Sequence, residues 1–189
     1  DRDVTGVQTC ALPISVLCAQ PVVGDEPFAV LLAEDLIDAQ PPTIARMARR
    51  FESEGCSLLG VEEVPRDQTG SYGIVSPEDA RAEVTAIKAI VEKPAPKDAP
   101  STMAVVGRYI LTPAIFGLLA GAKPGKGGEI QLTDAIAALL EKERVLAMGI
   151  GGRRYDCGSK LGYLKATVEL GLRHPDIGKP FGEFLDRRG

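Results

Sequence analysis

The 189-residue sequence has no tryptophan, a single histidine and only 5% aromatic residues. So few aromatic side chains do not favour a protein that stacks the bases of single-stranded nucleic acid. No apolar run reaches the roughly 20 residues that a membrane-spanning helix needs. Because 22 Lys and Arg residues stand against 26 Asp and Glu, the net charge is −4, which gives no general attraction for nucleic acid or an anionic membrane. We therefore expect a cytoplasmic protein with neither kind of partner.

Cysteine and histidine are too sparse for a zinc site of the usual ligand spacing. The four cysteines are scattered and form no C-x-x-C pair, so neither a zinc site nor a disulfide framework is expected. His174 precedes Pro175 at the end of a predicted helix. That position indicates a helix cap rather than the base of a nucleophilic site.

Apolar runs and helical periodicities alternate along the chain, which predicts a mixed α/β fold. Residues 28–32 form a continuous apolar run, as expected of a strand buried on both faces of a sheet. Ile44, Met47 and Phe51 recur at helical spacing, and Gly55 is a suitable stop. Further strand-like runs cover 57–62, 72–75, 84–91 and 103–111, and further helical patterns cover 113–119, 129–143 and 160–172. We predict a mixed, mostly parallel sheet with a β-rich insertion.

Residues 1–15 show neither helical nor strand periodicity, and the pattern changes abruptly at Val16. This stretch resembles translated read-through of a sequencing adaptor joined to a gene fragment. A disordered natural terminus is the alternative. We therefore divide the chain into a non-native or disordered terminus, 1–15, and one partial domain, 16–189.

Acidic residues follow a predicted strand and a predicted turn of the chain. Glu34 and Asp35 come directly after the apolar run at 28–32, and Asp156 follows a glycine-rich turn. In open α/β sheets the carboxyl ends of strands commonly hold ligands and metals, and carboxylates suit magnesium. For each site, a solvated acid that caps an element is an equal alternative.

Glu92, Lys93 and Pro94 end a predicted strand. The carboxylate can accept hydrogen bonds from sugar hydroxyls while the ammonium neutralises a phosphate. From the pattern alone, an exposed ion pair is the more common outcome. The glycine clusters at 125–128 and 149–154 match neither a Walker loop nor a dinucleotide fingerprint, so we interpret both as turns.

Six blocks of sequence, in this order, resemble the bacterial UTP–glucose-1-phosphate uridylyltransferases, also called UDP-glucose pyrophosphorylases. The blocks are FAVLLAEDL at 28–36, YGIV at 72–75, VEKP at 91–94, VGRY at 106–109, EIQLTD at 129–134 and YDCGSKLGY at 155–163. The resemblance extends from about residue 16 to residue 185. It implies a Rossmann-like nucleotidyltransferase fold, truncated at the N-terminus, in a domain at 16–189.

The resemblance also implies an activity. Members of this family join UTP and glucose 1-phosphate into UDP-glucose, release pyrophosphate, use Mg²⁺, and form homodimers or homotetramers. Their nucleotide-binding loop and uracil-reading segments precede the region that this chain resembles. We therefore expect a C-terminal fragment that is inactive by itself, with its nucleotide-binding residues unassigned. The alternatives are a catalytically silent fragment for sugar-phosphate binding or subunit association, and a related sugar-nucleotide transferase that uses another base.

Site residues follow from the same resemblance, position by position. Lys93 would bind the phosphate of glucose 1-phosphate as a catalytic residue, and Glu92 would accept hydrogen bonds from sugar hydroxyls. Gly73 would allow the sugar to approach the backbone closely, and Val105 would line the sugar site. The segment at 129–134 is expected to pack and cap rather than to take part in catalysis.

The metal site carries a departure from the family pattern. Asp156 matches a metal-binding catalytic aspartate. The family usually has Pro-Asp-Asp where this chain has Ala33, Glu34 and Asp35. Glu34 is therefore the expected second metal ligand and Asp35 a sugar contact, although the opposite assignment of the two acids remains open.

Overall fold

A computed structural model describes residues 5–122 and 130–188, with side chains from residue 12 onward. In chain order its elements are α1 (Thr5–Val23), β1 (Phe28–Leu31), β2 (Asp35–Asp38), α2 (Thr43–Glu54), β3 (Leu58–Glu63), a 3₁₀ helix (Arg66–Ser71), β4 (Gly73–Pro77), β5 (Val84–Glu92), β6 (Met103–Leu111), α3 (Ala114–Ala120), α4 (Leu132–Leu139), β7 (Leu146–Gly149), β8 (Arg153–Asp156), α5 (Lys160–Arg173) and α6 (Gly178–Asp186).

Two sheets organise the described residues. The larger has six strands in the order β1-β6-β3-β7-β5-β4, and β2 and β8 form a separate two-stranded ribbon. The mixed α/β sheet is confirmed. The expectation that most strands run parallel is wrong for 5–122 and 130–188, where β3 with β7 is the one parallel pairing. The β-rich part explains this result, since β4 pairs antiparallel with both β5 and β6, and these two strands pair antiparallel with β7 and β3, respectively.

Strand β1 lies at the edge of the larger sheet, antiparallel to β6. Phe28 and Val30 pack against the main core, and the Phe28 ring stacks on Phe116 with centroids 4.8 Å apart. The alternate side chains face outward, and Leu31 is 52% exposed. The expectation of a strand buried on both faces is therefore wrong, because only one face of β1 is covered in the described structure.

The helix predicted from Ile44, Met47 and Phe51 is confirmed as α2. Met47 is fully buried, and Gly55 ends the helix at φ 64°, a left-handed conformation that glycine adopts without a steric penalty. Strand β6 lies inside the sheet, with nearly all of its residues buried. The main core fills the space between β1, β3, β5 and β6 and the helices α3 and α4.

Residues 5–15 belong to α1. Val16 is buried in the main core, and Leu12 and Leu17 pack against the same core. The sequence does not predict α1 because its apolar residues follow no helical period and because two prolines, Pro13 and Pro21, lie inside the helix. Residues 1–4 lie outside the described part, and the foreign origin of residues 1–15 stays a prediction.

The C-terminal part is helical. Helix α5 matches the predicted helix at 160–172 and begins at a capping Ser159, whose Oγ accepts a hydrogen bond from the Gly162 backbone N–H at 3.0 Å. The prediction that His174 caps the end of this helix is confirmed, since its backbone N–H donates to the Gly171 carbonyl at 3.2 Å. Helix α6 was not predicted, and α4 covers only part of the predicted 129–143 helix. No helix in the described ranges is long and apolar enough to cross a membrane.

Candidate active site

A cleft of about 580 Å³ brings together segments that are far apart in sequence. Six of the seven predicted site residues line it, namely Glu34, Asp35, Gly73, Glu92, Val105 and Asp156. We call the side formed by Glu34, Asp35, Arg154 and Asp156 the acid wall. We call the side formed by Tyr72, Gly73, Glu92 and Thr133 the hairpin wall, since most of it lies on the β4–β5 hairpin.

The acid wall is built on the β2–β8 ribbon, where Asp35 is directly opposite Asp156. The Cys157 backbone N–H donates to the Glu34 carbonyl at 2.7 Å, which extends the pairing by one residue. A Cβ atom added to Gly158 would lie 3.1 Å from Asp156 Oδ1 and 3.5 Å from Glu34 Cβ. The Gly158 backbone N–H donates to Asp156 Oδ1 at 3.1 Å, so the exposed side chains of Glu34 and Asp156 meet at one glycine at the rim of the cleft.

Asp35, unlike its two acidic neighbours, is buried, at 5% exposure. Its Oδ1 accepts a hydrogen bond from Arg154 Nε within an ion pair. A Cβ atom on Gly107 would overlap the Asp35 side chain, so this buried carboxylate requires a glycine beside it. The backbone of Asp35 is held as well, since Arg108 Nη2 donates a hydrogen bond to its carbonyl oxygen at 2.6 Å. Both the backbone and the side chain of Asp35 are thus fixed by arginines.

Burial and neighbouring charge act on this pair in opposite directions. Burial raises the pKa of Asp35, Arg154 lowers it, and the charges of Glu34 and Asp156 raise it further, so the net shift is upward. Burial by itself would lower the pKa of Arg154. The hydrogen bond to Tyr72 and the charge of Asp35 outweigh burial and raise that pKa. Arg154 is therefore a permanent positive charge within the acid wall.

The hairpin wall is held by side chains that meet across the cleft edge. Gly73 lies opposite Glu92 in the β4–β5 register. Thr133 Oγ1 donates to Glu92 Oε2 at 2.9 Å. A Cβ atom on Gly73 would lie 2.6 Å from Thr133 Cγ2, so a side chain at position 73 would disturb this contact. The wall thus presents a fixed carboxylate beside a buried glycine that Thr133 packs against.

Lys93 is the predicted site residue that does not line the cleft, although it follows Glu92 directly. Its Nζ lies 3.6 Å from Glu92 Oε1, and its side chain is 44% exposed. Its φ is 45°, a conformation that costs energy for a residue with a Cβ. The Lys93 backbone N–H donates to the Tyr72 carbonyl at 2.9 Å, which holds this turn against the hairpin.

The acid wall fits a divalent cation that is shared with a ligand. Within residues 5–122 and 130–188 no group of three or more His, Cys, Asp and Glu is placed to hold a metal ion. Since Asp35 is paired with Arg154, Glu34 and Asp156 are the two carboxylates that face the opening. Mg²⁺ is usually bound by one or two carboxylates together with water and substrate phosphates. These two carboxylates therefore suit a magnesium ion whose remaining ligands are water and phosphate oxygens.

Sequence reasoning missed Arg154 and Thr133. Arg154 lies two residues before Asp156 on β8, so the two side chains point to the same face of the strand. This alternation could have placed Arg154 in the site once Asp156 was assigned to it. The segment at 129–134 was expected only to pack and cap. Leu132 is buried as expected, but Thr133 also lines the cleft. Glu129 and the glycine cluster at 125–128 lie outside the described residues, and the cluster at 149–154 leads from β7 into β8.

Comparison with known sequences gives a consistent result. A profile of the nucleotidyl transferase family matches residues 13–171. The UTP–glucose-1-phosphate uridylyltransferase of Bacillus subtilis strain 168 is 41% identical over 172 residues, which cover 91% of this chain and 59% of the relative. The protein of the same name from Haemophilus influenzae is 46% identical over 179 residues, covering 90% of this chain and 61% of the relative. The chain thus spans about three fifths of the length of these curated relatives.

Solved structures resemble the fold as well. A UDP-glucose pyrophosphorylase complexed with UDP-glucose superposes with a TM-score of 0.82 at 41% identity, covering 86% of this chain and 62% of that one. A UTP-bound UGPase from Acinetobacter baumannii superposes with a TM-score of 0.83 at 43% identity, covering 92% of this chain and 61% of that one. The similarity therefore includes both the sequence and the arrangement of the sheet.

Proposed function

Since this chain belongs to the nucleotidyl transferase family, we propose that it serves uridylyl transfer from UTP to glucose 1-phosphate, which yields UDP-glucose and pyrophosphate. The observation that carries this proposal is the cleft, where two exposed carboxylates face a hairpin that bears a fixed carboxylate and an adjacent lysine. The first pair suits a metal-bound phosphate, and the second suits a phosphorylated sugar.

The hairpin wall is the proposed sugar-phosphate subsite. Glu92 Oε2 accepts a hydrogen bond from Thr133. Glu92 Oε1, which lies near Lys93 Nζ, can accept a hydrogen bond from a sugar hydroxyl. The exposed ammonium of Lys93 can reach a phosphate as a point charge. Gly73 and Val105 line the same cleft, and we assign them as the backbone contact and the apolar contact of the sugar.

The acid wall is the proposed cation subsite, with Glu34 and Asp156 as ligands and Asp35 as a sugar contact. When bound there, Mg²⁺ would neutralise phosphate charge in the transition state. Glu34 is exposed, which gives its longer side chain freedom to adopt a ligating rotamer. An assembly of two or four copies also remains a proposal from the family resemblance.

The reaction demands little covalent chemistry from the protein. A phosphate oxygen of glucose 1-phosphate attacks the α-phosphorus of UTP in line. The bond from that phosphorus to the bridging oxygen breaks, and the electron pair leaves with pyrophosphate. What this chain contributes is positioning of the attacking phosphate and placement of negative ligands for the cation.

Calorimetric titration of the 189-residue chain with glucose 1-phosphate tests the sugar-phosphate subsite. We expect Lys93→Ala to weaken binding about tenfold or more, because it removes a charge-assisted contact. Lys97→Ala is the matched control, since it removes an equal charge from an exposed lysine of the same loop. Equal affinities for the Lys93 and Lys97 variants, or no binding by the unchanged chain, would overturn the proposal.

A further inference from the structure

Arg154 is a buried cation enclosed by acidic and aromatic groups. Its side chain is only 10% exposed. Besides the Asp35 ion pair, its Nη1 lies 3.6 Å from Glu62 Oε1 and 3.4 Å from the Tyr72 hydroxyl oxygen. Its guanidinium also stacks over the Tyr72 ring, 5.4 Å from the centroid. One residue therefore connects the acid wall to the hairpin wall.

The alternation of β8 explains why this arginine points inward while its neighbour does not. Arg154 and Asp156 share the face of β8 that lines the cleft. Arg153 points to the opposite face, where its Nη1 donates to Glu169 Oε2 on α5 at 2.6 Å, and it is 58% exposed. The two adjacent arginines thus carry the same charge in different surroundings.

The guanidinium determines how many carboxylates are free to bind a cation. Asp35 lies directly opposite Asp156 in the β2–β8 ribbon and follows Glu34 in sequence, and all three acids line the cleft. As placed in the described residues, the three acids do not form a three-ligand metal group. An Asp35 carboxylate released from its ion pair would be free to turn toward the exposed pair, and a higher ligand charge tightens a cation site. The Arg154 ion pair engages Asp35 Oδ1 and leaves the exposed pair for the cation.

We propose that Arg154 is a positioning residue that keeps the Asp35 carboxylate out of the divalent-cation subsite and leaves Glu34 and Asp156 as its ligands. This inference rests on the proposed function, which assigns a cation to the acid wall. Holding Asp35 in an ion pair preserves open coordination positions for phosphate oxygens. It also keeps Asp35 fixed beside Tyr72 and the hairpin wall, where a bound sugar would lie.

Titration with Mn²⁺, followed by water-proton relaxation, tests this role without measuring turnover. We expect Arg154→Gln to tighten Mn²⁺ binding about tenfold, because Asp35 is released to become a third ligand. The double variant Arg154→Gln/Asp35→Asn has the same net charge as the unchanged chain and should return to its affinity. Arg153→Gln is the matched control, since it removes an equal charge from the opposite face of the same strand.

Damage to the fold cannot imitate this result, because a disturbed site would not bind the ion more tightly. The inference is overturned if Arg154→Gln gains no more affinity than Arg153→Gln, or if the gain survives the Asp35→Asn change. If circular dichroism shows that Arg154→Gln does not fold, two single variants that keep Arg154 test the inference instead, namely Asp35→Asn and Glu34→Gln. Asp35→Asn must then weaken Mn²⁺ binding less than Glu34→Gln does, and an equal or larger loss overturns the inference.

The proposed cation subsite can fail separately. If neither Glu34→Gln nor Asp156→Asn changes Mn²⁺ binding, the metal assignment in the proposed function is wrong. In that case a gain in Arg154→Gln that requires Asp35 would still support the part of the inference in which Arg154 withholds Asp35, while the part that leaves Glu34 and Asp156 as ligands would be overturned. Absence of the gain would overturn both parts.

Discussion

The two walls of the cleft are stabilised in different ways. The acid wall joins two short strands that are more than 100 residues apart in sequence, and its central contact is a buried ion pair between Asp35 and Arg154. The hairpin wall is formed largely by consecutive strands, and its ion pair, Lys93 with Glu92, is half-exposed. The first wall therefore depends on electrostatic compensation inside the protein, whereas the second depends mainly on backbone pairing.

This difference has a functional meaning under the proposed reaction. A cation subsite needs carboxylates whose number and spacing do not change, and a buried arginine can enforce that arrangement. A sugar-phosphate subsite needs a cation that can move to meet the phosphate, and an exposed lysine has that freedom.

The largest expected difference between the walls is in stability. Arg154→Leu leaves the buried carboxylate of Asp35 without its partner, so we expect the free energy of unfolding to fall by about 3–5 kcal/mol. Lys93→Ala breaks a half-exposed pair and should cost less than about 1 kcal/mol. Urea unfolding of both variants measures the two values. Similar losses would remove the distinction between the walls.

A methyl group added to each wall should also destabilise the acid wall more than the hairpin wall, although the difference in stability is smaller. Gly107→Ala would drive Cβ into Asp35, which its arginine partners hold in place, so we expect a loss of about 1–3 kcal/mol. Gly73→Ala meets a single methyl group of Thr133, farther away than the Asp35 carboxylate is from position 107, and should cost less. Gly117→Ala is the control, because no atom lies within 4 Å of its added Cβ and the change favours helix α3. Thermal unfolding that ranks Gly73→Ala as the more costly change would contradict this account.

The smallest effect concerns protonation of the acid wall. The pKa of Asp35 is raised from its ordinary value of 3.8, chiefly by burial. Its contribution to stability is therefore fully present below about pH 3.8 and is lost as the pH rises through the folded-state pKa. Carboxyl-carbon NMR should give a midpoint above 3.8, and Arg154→Gln should raise it further because the lowering charge is gone. An unchanged midpoint in Arg154→Gln, or an equal rise in Arg153→Gln, would contradict the assignment.

The sequence predicted the hairpin wall better than the acid wall. Runs such as 84–91 and 103–111 are long and apolar, so their strands are evident from composition alone. The ribbon strands Asp35–Asp38 and Arg153–Asp156 have four residues each and carry charges at both ends. Their pairing depends on contacts made only in the folded chain, which is why the Asp35–Arg154 ion pair was missed.

The same reasoning explains the misjudged edge strand. Residues 28–32 are apolar throughout, and an apolar run does not reveal how many of its faces are covered. Six of the predicted site residues line the cleft, and the roles that the resemblance implies for them stay predictions. Thr133 was missed because its role depends on the distance from α4 to Glu92 rather than on a local pattern.

The most direct test of the account is an amide NMR titration of the chain with glucose 1-phosphate in the presence of Mg²⁺. We predict that the amide signals of Gly73, Lys93 and Gly107 shift with a common dissociation constant while that of Gly117, on α3, stays unchanged. Shifts confined to residues outside the cleft, or none at saturating ligand, would contradict the claim that the cation subsite and the sugar-phosphate subsite are the two walls of one site.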